Sequence, residues 1–105
     1  MIYSTRVALL SNAGFDFGDA FRRAPFAQYF EQVFVSAELG MIKPDPEIYR
    51  HVARELGIEP AEMVFIDNKK VNVDGAESIG ITGHVFTGVG ELRTFLNSLT
   101  EGSPA

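Results

Sequence analysis

Four short apolar runs, each broken off by turn chemistry, restrict the fold of this chain more than anything else in it. Val7-Ala8-Leu9-Leu10, Val33-Phe34-Val35, Met63-Val64-Phe65-Ile66 and His84-Val85-Phe86 are continuous rather than alternating. Runs of this length, rich in Val, Ile and Phe, suit strands covered on both faces, as in a parallel sheet. Helical signals lie between them. Asp45-Pro46 supplies an N-cap followed by proline at the first helical position. Ile48, Val52 and Leu56 then recur at fourfold spacing, and Gly57 stops the helix. A second helix is predicted from Lys70 to Ile79, closed by Gly80, with Val73, Ala76 and Ile79 inward and Gly75 permitting close approach to a sheet. Val89, Leu92, Phe95, Leu96 and Leu99 form the apolar stripe of a last helix. Phe15 to Phe30 predicts short helical turns around Ala20 and Ala27, and Thr100 to Ala105 should fray.

Strands alternating with helices imply right-handed crossovers and a doubly wound α/β sheet. At 105 residues there is room for one domain, and no repeat, low-complexity segment or linker divides it. With 46% hydrophobic and 22% charged residues the composition is that of a globular chain. Cysteine is absent, which removes disulfide frameworks, thiolate metal sites and cysteine nucleophiles. A formal charge of −5 argues against a broad nucleic-acid footprint. The apolar runs are too short to span a membrane and the N-terminus has no signal-peptide pattern, so a cytoplasmic location is expected.

In an open parallel sheet, ligands bind outside the carboxyl ends of the strands. Ser11-Asn12 follows the first run, Asp67-Asn68 follows the third, and Lys43 stands eight residues after the second. A hydroxyl with backbone N–H groups and a cation would hold a phosphate; a carboxylate would hold Mg²⁺, which takes oxygen ligands and keeps several waters. Each residue also has an ordinary use: a turn or helix cap for Ser11-Asn12 and Asp67-Asn68, a solvated surface for Lys43. His51 and His84 have no carboxylate partner nearby in sequence, and read as helix-surface and strand residues. Arg22-Arg23 is too small for a binding patch. Phe15, Phe17, Phe21, Phe26, Phe30 and Phe34 are expected to pack the core or to cover a hole in it.

Taken in order, Val7-Ala8-Leu9-Leu10-Ser11-Asn12-Ala13, Phe34-Val35-Ser36, Leu39-Gly40-Met41-Ile42-Lys43-Pro44-Asp45-Pro46, Val64-Phe65-Ile66-Asp67-Asn68 and Asn72-Val73-Asp74-Gly75-Ala76 resemble the haloacid dehalogenase (HAD) superfamily, in particular its phosphatase-like branch with a helical cap. The resemblance runs from about Arg6 to Leu99 and implies a HAD-like Rossmannoid core. It makes Ser11 and Asn12 the phosphate-binding second motif, Lys43 the third-motif lysine, and Asp67 the carboxylate that helps hold Mg²⁺. The branch usually carries two adjacent acids there; here the second is Asn68, an oxygen ligand without charge, and Asp74 would compensate only by turning toward the site. Asn72 matches a position that orients the acidic loop.

The family's nucleophile, the first Asp of a DxD motif on an N-terminal strand, and its substrate-selecting cap have no counterpart here, since Met1 to Arg6 contains no acid. Asp16 and Asp45 do not sit at strand ends and are poor substitutes. The chain therefore resembles the C-terminal part of a HAD core, a single partial domain over residues 1–105 that binds phosphate and Mg²⁺ but turns over little alone. In the family's strand order 3-2-1-4-5 the missing strand is the central one, so the first and third runs would flank a gap. Buried unpaired backbone groups there would cost roughly 1–3 kcal/mol each, heavy against a small domain's 5–15 kcal/mol or so. Direct pairing of the two strands, strand exchange within a homo-oligomer, or a strand from another polypeptide would close the gap, and self-association is favoured. The competing reading is a non-catalytic interaction or regulatory module with a vestigial phosphate pocket. A dehalogenase would need the same missing Asp, and a receiver domain would place its acids first and its lysine last.

Overall fold

The computed structural model describes residues 6–101, with side chains through Leu99. Eleven elements alternate as the apolar runs foretell: β1 (Ala8–Ser11), α1 (Phe15–Arg23), a 3-10 turn (Pro25–Tyr29), β2 (Gln32–Val35), α2 (Ser36–Leu39), α3 (Pro46–Leu56), a 3-10 turn (Pro60–Glu62), β3 (Val64–Asp67), α4 (Lys70–Glu77), β4 (Thr82–Val85) and α5 (Val89–Glu101). Asp45 caps α3 by accepting the Glu47 N–H at 3.0 Å, and Gly57 ends it at φ 69°. Two boundaries differ from the sequence reading. β4 begins at Thr82 because Gly83 lets α4 press against it: a Cβ there would stand 2.4 Å from a Val73 methyl. α4 ends at Glu77, since Ser78–Gly80 turn back and the Ile81 N–H reaches the Ala76 carbonyl. Fraying of the tail falls partly on 102–105, outside the described residues, while α5 stays helical to Glu101. No helix among the described residues is long and apolar enough to cross a membrane.

All pairing is parallel, in two separate ladders. β1 pairs with β2, Leu9 opposite Val33, and β3 pairs with β4, Phe65 opposite Gly83. Among the described residues no ladder joins β1 to β3. The direction of the free edges follows from the bonds at the ladder ends, because a strand's backbone groups alternate sides with period two. The carbonyls of Val7 and Ala13 accept from Glu31 and Ala37 on the β2 side, which turns Ala8 and Leu10 outward. Met63 and Asp67 carbonyls accept from Thr82 and Phe86 on the β4 side, which turns Val64 and Ile66 outward. The gap expected between the first and third runs is therefore present, lined by these four residues. Direct pairing of the two strands does not occur, and the feared desolvation is reduced because Val64 and Ile66 stay exposed to water.

The core sits on one face of both ladders. Ile48 and Tyr49 of α3, Ala76 of α4 and Ile81 are buried together, with Leu10 of β1 and Phe65 of β3 packed against them. That cluster spans the gap and holds the half-sheets in one body. The other face is thin. His84 stacks on Phe95 of α5 at 4.4 Å, but Val89, Leu96 and Leu99 of the predicted stripe are exposed. Strands covered on both faces are thus only partly realised. The aromatic segment divides likewise: Phe34 is buried and Phe21 gathers Phe17, Phe26 and Phe30, yet Phe15, Phe17 and Phe26 remain largely open.

Candidate functional site

The carboxyl ends of β1 and β3 meet at one side chain. Lys43, in the loop between α2 and α3, sends its ammonium to the Leu10 carbonyl (3.1 Å) on the outward edge of β1 and to Asp67 Oδ2 (2.8 Å) at the end of β3. Both side chains are nearly buried, 10% and 8% exposed, and the ammonium also lies 5.6 Å from the Phe65 ring centre. An ammonium has three protons; the third has no hydrogen-bond partner among the described residues. Asn12 fixes the loop that carries the lysine. Its amide makes a reciprocal pair with the Lys43 backbone, Nδ2 donating to the carbonyl at 3.0 Å and Oδ1 accepting the N–H at 2.9 Å.

Asp67 is held from three sides. Oδ1 accepts the Lys69 N–H at 2.8 Å; Oδ2 accepts Lys43 and the buried Asn72 amide, the latter at 3.2 Å. Burial by itself pushes the carboxyl pKa up, but the hydrogen bonds from Lys43 and the Lys69 backbone, with the Lys43 charge and the Asn72 amide, outweigh it and hold the group below its ordinary value. The carboxylate is therefore charged at neutral pH. Asn72 is in turn located by Tyr49, whose hydroxyl donates to the Asn72 carbonyl at 2.6 Å. Burial first, then the Asp67 charge, raises the Tyr49 pKa to about 12.

Lys43, Asp67, Asn12 and Asn72 are thus brought together. Ser11 ends β1 opposite Val35, and its hydroxyl makes no hydrogen bond among the described residues; nor does the Asn68 amide. Asp74 does not turn inward, being exposed and paired with Lys70 at 3.0 Å. Asp45 is occupied as a helix cap. His51 lies edge-on to Phe34, and Arg22 is taken by Glu38 and the Val33 carbonyl. Sequence reading passed over two residues. Tyr49 sits beside the Ile48 stripe, and only its hydroxyl, unusual in a buried position, could have marked it. Ser36 is buried and clasps the turn after Ser11, accepting the Ala13 N–H at 2.9 Å and donating to the Ala13 carbonyl at 3.1 Å.

The donor set suits a hard cation in part. Oδ2 has both lone pairs engaged, Oδ1 has one open, and Asn68 offers an amide oxygen. No cluster of three acidic, histidine or cysteine side chains exists among the described residues.

A parallel α/β layer with a lysine–aspartate pair at its carboxyl edge defines a Rossmannoid core. A family model for haloacid dehalogenase-like hydrolases matches residues 4–80, and the chain belongs to that family. It is 39% identical over 71 residues to flavin mononucleotide hydrolase 1 of Arabidopsis thaliana, covering 68% of this chain and 29% of that protein. It is 43% identical over 54 residues to sesquiterpene phosphatase astK of Aspergillus oryzae, 51% of this chain and 28% of that one. Among solved structures, a HAD family enzyme of Bacteroides thetaiotaomicron in complex with magnesium and inorganic phosphate superposes with a TM-score of 0.68 at 34% identity, over 75% of this chain and 43% of the other. The chain spans under a third of the curated relatives' length.

Proposed function

We propose that these residues form the phosphate- and Mg²⁺-binding part of a phosphatase core of the HAD type, a single partial domain whose substrate is a phosphorylated small molecule. The observation that carries this reading is the nearly buried Lys43–Asp67 pair at the carboxyl ends of β1 and β3. The free ammonium proton of Lys43 and the Ser11 hydroxyl take phosphate oxygens, and Asn12 keeps Lys43 in place. Asp67, through Oδ1, and Asn68 would hold Mg²⁺, which neutralises phosphoryl charge when bound. The magnesium of the Bacteroides enzyme supports that assignment.

Hydrolysis through a phospho-enzyme needs a carboxylate in line with phosphorus. Among the described residues no acid other than Asp67 stands at the carboxyl end of a strand, and Asp67 is committed to Lys43. By itself the chain is therefore inactive or nearly so. Turnover of p-nitrophenyl phosphate with Mg²⁺ tests this: the expected rate is at background, whereas a robust rate abolished by Asp67→Ala would show that the nucleophile is supplied within these residues. The reading as a non-catalytic module is favoured by one feature, the engagement of Lys43 with the Leu10 carbonyl as well as Asp67; phosphate failing to bind with Mg²⁺ present decides for it.

The open edges at Ala8, Leu10, Val64 and Ile66 support a homo-oligomer or an exchanged strand filling the gap. A cytoplasmic location belongs to the same proposal and is tested by cell fractionation.

A further inference from the structure

We infer that Ser36 is a positioning residue of this site, setting the direction of Asn12 and through it the place of Lys43; the inference rests on the phosphate reading above. Ser36 opens α2 directly after Val35, the residue that pairs with Ser11 at the end of the β1–β2 ladder. It is buried, 7% exposed. Its hydroxyl turns away from its own helix to a residue 23 positions earlier: Oγ accepts the Ala13 N–H at 2.9 Å and donates to the Ala13 carbonyl at 3.1 Å. The Ala37 N–H reaches the same carbonyl at 3.2 Å.

The Ala13 N–H belongs to the rigid peptide plane that joins Asn12 to Ala13. With that plane held by Ser36 on one side and Ser11 held in the ladder on the other, the Asn12 backbone has little room to turn. Its amide is thereby aimed at both backbone groups of Lys43, at 3.0 and 2.9 Å, and the Lys43 ammonium reaches Asp67 at 2.8 Å. Ser36 and Lys43 are the two ends of one segment, 36–43, so the turn after β1 grips that segment at both ends. The grips are unequal. Asn12 is exposed, so water competes for its amide and the pair with Lys43 gains little by itself. The shielded serine supplies the direction that the exposed amide does not hold alone.

The test uses the intact chain with Mg²⁺, inorganic phosphate in calorimetric titration, and the side-chain amide protons of Asn12 followed by NMR. Ser36→Ala is expected to weaken phosphate binding by about fivefold and Asn12→Ala by about tenfold. The double variant should bind within about twofold of Asn12→Ala alone, because the serine acts through the asparagine. In Ser36→Ala the Asn12 amide protons should lose their hydrogen-bonded shift and exchange faster with water. Ser36→Cys, whose thiol is a weak hydrogen-bonding group, is read in the same way if the alanine variant does not fold. Losses that multiply in the double variant, or Asn12 protons unmoved by the loss of the hydroxyl, would make Ser36 an anchor of the fold only; the inference is then overturned and the phosphate reading stands. If inorganic phosphate does not bind the unaltered chain, both readings fall.

Discussion

At the scale of single residues, Lys43 does two jobs through one ammonium: it neutralises Asp67 and caps an unpaired carbonyl of β1. Lys43→Met should therefore strand a nearly buried carboxylate and destabilise the fold by about 3 kcal/mol in urea titration. The pH dependence follows from the same contacts. Asp67 has a lowered pKa in the folded chain, so its stabilisation is fully present above the ordinary carboxyl value and is lost as pH falls through the lowered native one. An Asp67→Asn variant should flatten that acid limb of a stability–pH profile; an unchanged slope would place the titration elsewhere. Tyr49→Phe removes the bond to the Asn72 carbonyl and should cost about 1–2 kcal/mol in thermal or urea unfolding. Asp67 was legible because it ends a strand at a turn signal, and Lys43 because it stands directly before Pro44 in the stretch after the second run. Tyr49 was not, because a hydroxyl in a helical stripe looks like any other core position until its partner on α4 is known.

At the scale of elements, α4 packs closely because Gly75 has no side chain. A Cβ there would stand 2.6 Å from the Pro44 carbonyl oxygen and 3.0 Å from the Tyr49 ring. Gly75→Ala gains up to about 1 kcal/mol of helix propensity, but the obstacle is partly backbone, so a net loss of about 2 kcal/mol is expected from overpacking. Calorimetric unfolding checks the sign, and a stabilised variant would mean α4 shifts freely. The strands make a second prediction. Amide protons of Ala8, Leu10, Val64 and Ile66 should exchange faster than those of Leu9 and Phe65 in dilute solution, measured by NMR. Protection of all six alike would mean the gap is filled.

At the scale of the whole molecule, two half-sheets share one core but leave facing edges open, and such edges recruit strands. Sedimentation should show species heavier than a monomer that dissociate on dilution, with faster exchange at the four edge amides. A well-folded monomer persisting at all concentrations would remove self-association as the means of closing the gap.

The order of strands and helices and the caps at Asp45 and Gly57 were set by local pattern: apolar runs end where turn residues begin, and a capping carboxylate acts within two residues of itself. That Lys43 pairs with Asp67, 24 positions away, was not. What only the tertiary structure decided is which backbone groups face the gap, that Asn12 clasps the Lys43 loop, that Asp74 goes to Lys70, and that the stripe of α5 stays half-open. Those depend on partners about 30 positions away or on a neighbour one helical turn along. A side chain with several partners in reach takes the one whose geometry the packing fixes, and sequence spacing carries no record of that choice.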